Sequence, residues 1–74
     1  MDDEAFASIY KGLRRLAAVV APASADPDDL VQEAITRTLA ANRTLAGIDH
    51  LDAYLRTTIV RLASAERRRW RRAC

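Results

Sequence analysis

Arginine is the residue type here whose number and spacing could do chemistry. Seven of them fall between residues 54 and 74, against one acid, Glu66. Guanidinium groups stay charged at every physiological pH and present planar forks of donors that match phosphate oxygens. The stretch from Tyr54 to Arg72, YLRTTIVRLASAERRRWRR, lays these groups along a helix. At 100° per residue, Leu51, Leu55, Thr58, Ile59 and Leu62 fall within roughly 60° of one line and form an apolar stripe. Arg56, Val60, Ser64, Arg67 and Arg71 run up the opposite side, flanked by Arg61, Arg68 and Arg72. A helix of about 20 residues is about 30 Å long, a length that suits a rod laid along a nucleic-acid backbone. A solvated face would also carry such charges, so the run by itself leaves both readings open.

The remaining chemistry is sparse. His50 is the only histidine and Cys74 the only cysteine, so no zinc site, catalytic triad or intrachain disulfide can be assembled from this chain. The adjacent acids Asp28 and Asp29 are explained by a helix start rather than by acid–base work. No glycine-rich phosphate loop and no internal repeat is present, and three short helices leave little room for a substrate pocket. The chain is read as a non-enzyme that needs no cofactor.

Seventy-four residues make one domain, spanning 1–74, whose core is marginal because so short a chain buries only about 60% of its unfolded surface. Half of the residues are apolar, which excludes a disordered tail, and scarce Gly and Pro favour helix. The acidic opening MDDE is no signal peptide, and no apolar run approaches a membrane span, so a cytoplasmic protein is expected. The net charge of +2 hides a split: residues 1–53 carry nine acids and five bases, and residues 54–74 carry seven bases and one acid. That asymmetry points to two partners of opposite charge.

Three helices must position these groups, near 4–20, 27–42 and 49–71. Asp2 or Asp3 caps the first, and Phe6, Ile9, Tyr10, Leu13, Leu16, Ala17 and Val20 share its inner face, with Lys11, Arg14 and Arg15 pointing away. Pro22 ends it. Asp26-Pro27-Asp28-Asp29 starts the second: an N-cap, a proline at the first helical position, then two acids at the positive end of the dipole. Leu30, Val31, Ala34, Ile35, Thr38 and Ala41 face inward, whereas Asp29, Gln32, Glu33 and Thr36 form an outward polar stripe. Capping does not require Gln32 or Glu33, which makes them candidates for partner contact. NRTLAGI, residues 42–48, is a loop broken at Gly47, with Asn42 closing the helix before it. Asp49 is the expected N-cap of the third helix, with Ile48 as a hydrophobic staple. Leu13, Leu30, Ile35, Leu55 and Leu62 are expected to meet in one core.

Three segments together resemble region 2 of bacterial sigma factors of the extracytoplasmic-function (ECF) type. FASIYKGLRRLA is similar to the family's opening helix. DPDDLVQEAITRTLA resembles its second helix, whose hallmark run here is Asp29-Leu30-Val31-Gln32-Glu33. AYLRTTIVRLASAERRR resembles the third: an aromatic-leucine pair, aliphatics, then arginines. The resemblance spans nearly the whole chain in the right order.

The resemblance implies an all-α, three-helix bundle that takes part in transcription initiation. In that family the second helix docks on the clamp helices of the RNA polymerase β′ subunit, which carries over to Asp29, Gln32 and Glu33, with Thr36 completing the stripe. The loop and third helix recognise and melt the −10 promoter element and hold a flipped base of the non-template strand. That carries over to Arg43 and Thr44 in the loop and to Arg56, Arg61, Arg67 and Arg68 on the helix, with Arg71 extending the row. The family usually has an asparagine in the middle of the third helix and an aspartate four residues later; here those places hold Arg61 and Ala65. The family's second domain, region 4, is not represented in the chain. The alternative reading is a regulatory protein of the same fold that binds polymerase or an anti-sigma factor without melting DNA. A third is a basic three-helix module that binds DNA without sequence preference.

Overall fold

The computed structural model describes residues 3–42, 44–45 and 48–73, with the side chains of Asp3 and Ala73 left aside. The described residues form three helices and no strand: α1 (Asp3–Val20), α2 (Pro27–Asn42) and α3 (Leu51–Ala73). The all-α expectation and the approximate spans hold. Expectations resting on Asp2, Arg43, Gly47 and Cys74, and on the side chain of Asp3, lie outside the described residues.

Local chemistry accounts for most of the boundaries. The Asp26 carboxylate accepts the Asp28 amide at 2.8 Å and its carbonyl accepts the Leu30 amide at 3.1 Å, so Asp26 is the N-cap of α2. At the other end the Asn42 side-chain amide donates to the Thr38 carbonyl at 2.9 Å, folding back over the last turn. The start of α3 departs from expectation. Asp49 lies in a turn and α3 begins at Leu51; the carbonyl of His50 accepts the first helical bond, from the Tyr54 amide at 3.0 Å. His50 has φ 56°, the left-handed region, so the chain reverses sharply there and the helix cannot begin at Asp49.

The helices pack pairwise. Arg14 reaches Asp28 at 2.5 Å and Tyr10 meets Gln32, so α1 and α2 run antiparallel. Arg56 lies at Gly12 and Arg67 reaches Val20, so α3 runs parallel to α1. The core comprises Leu13 and Ala17 of α1, Leu30, Val31 and Ala34 of α2, and Leu51, Leu55, Ile59 and Ala63 of α3. Ile35 and Leu62 pack against its edge, partly buried, rather than at its centre. The buried positions of α3 recur every four residues, and each such step advances about 40° around the axis, so the core stripe winds along the helix. That brings Ala63 inside and leaves Thr58 and Leu62 half-buried, where a straight stripe would have placed them inside. Ala41 is exposed, because the inner face of α2 continues in sequence past the length its neighbours cover. Thr38, the one buried polar side chain among the described residues, donates to the Ala34 carbonyl at 2.8 Å and is therefore satisfied.

Gly12 sits mid-helix, where glycine costs about 1 kcal/mol relative to alanine. A Cβ there would lie 3.0 Å from the Arg56 guanidinium, so the glycine lets that side chain lie across α1.

Candidate functional site

Two polar surfaces sit on this frame. The first is on α2, whose start is fixed by the Asp26 cap. Asp29, Gln32, Glu33 and Thr36 are all exposed, as their spacing predicts. Glu33 accepts from Arg37 at 2.7 Å, one turn on, and Gln32 donates to the Tyr10 hydroxyl at 3.3 Å. The Glu33–Arg37 pair is half solvated, so it contributes only about 0.3–0.5 kcal/mol and yields readily to a competing charge. Asp29 has no ion-pair partner among the described residues. The crevice between α2 and α3 continues this surface with Glu33, Arg37, Glu66 and Arg69. The Arg69–Glu66 contact, a hydrogen bond reinforced by charge, raises the already high pKa of Arg69. The acidic stripe thus ends in mixed charge.

The second surface is on α3, and the structure divides its arginines. Arg56 is paired with Asp52 at 2.9 Å and lies over Gly12. Arg67 is partly buried and its guanidinium donates to the Val20 carbonyl, 47 residues away in sequence. That carbonyl belongs to the last turn of α1, where acceptors lack helical partners and a cation is favoured by the helix dipole. Arg61, Arg68, Arg71 and Arg72 are exposed and make no ion pair among the described residues. The fold leaves Arg61, Arg68 and Arg71 without an ion pair among the described residues, gives Arg56 a solvated pair with Asp52, and engages Arg67 at Val20. Thr44 is exposed on the connection before α3, and Arg43 lies outside the described residues.

This division predicts a measurable contrast. Arg67→Ala removes a charged hydrogen bond and should cost about 1.5–3 kcal/mol, seen as a lower urea midpoint. Arg68→Ala, on an exposed position, should change stability by no more than about 0.5 kcal/mol.

A cleft at the start of α3, not evident from the sequence, is lined by Asp49, His50, Ala53, Tyr54, Thr57, Thr58 and Arg61. Tyr54 is 45% exposed. The Thr57 and Thr58 hydroxyls donate to the carbonyls of Ala53 and Tyr54, each at 3.0 Å, which leaves their oxygens able to accept. An open aromatic ring beside hydroxyls and a guanidinium can stack an unpaired base and hold its phosphate. The spacing of Tyr54, Thr57, Arg61, Arg68 and Arg72, in steps of three, four and seven, is the signal that would have found this face.

Among the described residues no helix is long and apolar enough to cross a membrane, and no cluster of three or more potential metal ligands occurs. Compared with known families, residues 5–73 match the model described as Sigma-70 region 2. No curated protein and no solved structure matches the chain.

Proposed function

Since the chain belongs to the sigma-70 region 2 family, we propose that it is a transcription-initiation module of the ECF type, docking on the β′ clamp of RNA polymerase and engaging the −10 element of promoter DNA. The observation that carries this reading is the separation of its two polar surfaces. Asp29, Gln32 and Glu33 stand exposed on α2, and Arg61, Arg68 and Arg71 stand exposed on α3 without ion-pair partners among the described residues. The α2 stripe meets the clamp, and the α3 arginines hold phosphates of the non-template strand. Tyr54 and Arg61 line the cleft that receives an unstacked base.

Binding to a β′ clamp-helix fragment tests the first contact. Glu33→Lys should weaken that binding by tenfold or more, about 1.4 kcal/mol. Its loss of the solvated pair with Arg37 should leave thermal stability almost unchanged. Unchanged clamp affinity in this variant would remove α2 from the polymerase contact.

One observation favours a second reading, a regulatory protein of this fold that binds polymerase or an anti-sigma factor without melting DNA. Ala65 stands where the family usually has an aspartate, and it is half-buried in the crevice lined by Leu62, Glu66 and Arg69. Arg61 replaces the usual asparagine with a group suited to phosphate rather than to adenine. Base reading gives a sequence preference that persists as salt rises, and phosphate holding does not. Equal affinity for −10-like and unrelated single strands, falling alike between roughly 50 and 200 mM salt, would favour the regulatory reading.

A further inference from the structure

We propose that the outer groove between α1 and α3, on the side away from α2, receives an acidic amphipathic helix of a partner protein. The groove is lined by Leu16, Arg56, Thr57, Val60 and Arg61. Val60 is 43% exposed, and Val19, one turn beyond Leu16, is 82% exposed. Neither valine is there for helix formation, since β-branched residues are below average in a solvated helix. Leu16 and Val60 form the apolar part of the groove, and Val19 extends it along α1 by one turn, on a domain that already has a filled core.

Charge selects the occupant. No acidic side chain occurs between residues 5 and 20 of α1 or between 53 and 65 of α3. Lys11 and Arg15 precede Val19 at steps of four on α1, and Arg61 follows Val60 on α3; all three are exposed and without an ion pair among the described residues. Asp52, the acid nearest the groove on α3, is engaged by Arg56. An apolar floor with a cationic rim matches a helix that carries aliphatic residues on one face and carboxylates beside them. A nucleic-acid backbone would use the rim but gain nothing from the valines. A second copy of this chain would have to offer its own acidic surface, and the exposed acids of α2 flank a polar stripe without an apolar row. Between the crossing of Arg56 at Gly12 and that of Arg67 at Val20 lie about two turns of α1 and about three of α3. The surface lies away from the α2 stripe, so the partner and polymerase could be held together. The inference is independent of what α2 binds, whereas the groove shares Thr57 and Arg61 with the cleft at the start of α3.

The probe is a fluorescein-labelled amphipathic peptide of about 14 residues, about 21 Å as a helix, with leucines at helical spacing and glutamates elsewhere. Anisotropy titration of the full chain should show binding that a lysine-for-glutamate version of the peptide lacks. Val19→Ser with Val60→Ser should weaken it about tenfold, and Lys11→Gln with Arg15→Gln should weaken it and flatten its salt dependence. The replaced side chains are exposed, and circular dichroism verifies that each variant keeps its helix content. Equal binding of the lysine peptide, or full binding by the double serine variant, would overturn the proposal. So would an equal loss of single-stranded DNA affinity in the serine variant, which would make the groove part of a nucleic-acid face. Concentration-dependent dimerisation that the serine variant abolishes would make the occupant a second copy and likewise overturn it.

Discussion

Leu55→Ala should bring the domain close to unfolding at room temperature. Leu55 is fully buried on α3 among core residues contributed by all three helices. Removing its branched end leaves a cavity that a small bundle refills poorly, at a cost of about 2–5 kcal/mol. A chain of 74 residues has roughly 4–11 kcal/mol in total, at about 0.05–0.15 kcal/mol per residue. The variant should therefore show a urea midpoint about halved or lower, with the helical circular dichroism signal lost in one transition. Leu39→Ala, on a side chain 39% exposed outside the core, is the control and should cost far less. A Leu55 variant as stable as that control would mean that the three helices do not share this core.

The largest effect on nucleic-acid binding should come from Arg61, Arg68 and Arg71 changed together to alanine. Each phosphate held by a cation contributes about −0.7 to the slope of log affinity against log salt for single strands. Losing three contacts should flatten that slope by about 2 units, measured by fluorescence anisotropy with a labelled strand. Stability should change little, because the three side chains are exposed and make no ion pairs among the described residues. Arg67→Ala should do the reverse: lower stability and nearly the same slope, since its guanidinium is engaged at Val20. An unchanged slope in the triple variant would take this face off the DNA. A slope change in Arg67→Ala as large as the share of one of the three would mean that Arg67 leaves Val20 to bind phosphate.

The Arg67 contrast separates features written in neighbouring residues from those that depend on how the helices pack. Helix type and number followed from apolar periodicity and scarce Gly and Pro. The α2 boundaries followed from local side-chain bonds by Asp26 and Asn42, which need nothing distant. Exposure of Asp29, Gln32, Glu33 and Thr36 was legible because outward positions on a short amphipathic helix follow from period alone. The family resemblance rested on the same runs.

The structure alone decided how the arginines divide. A helical wheel places Arg56 and Arg67 together with Arg71 on one side, but it has no knowledge of α1. Only when α3 lies parallel to α1 does Arg56 meet Gly12 and Arg67 meet the open carbonyl of Val20. The winding of the core stripe is likewise a property of packed helices, and it moved Ala63 inside while leaving Leu62 at the edge. The start of α3 is not legible in the sequence, because His50 takes a left-handed φ that an aspartate cap signal two residues from Leu51 does not reveal. Local bonds and periodicity are written in neighbouring residues, so the sequence determined the helices and the polar stripe of α2. Which cations remain free depends on groups up to 47 residues away, and so on helix packing.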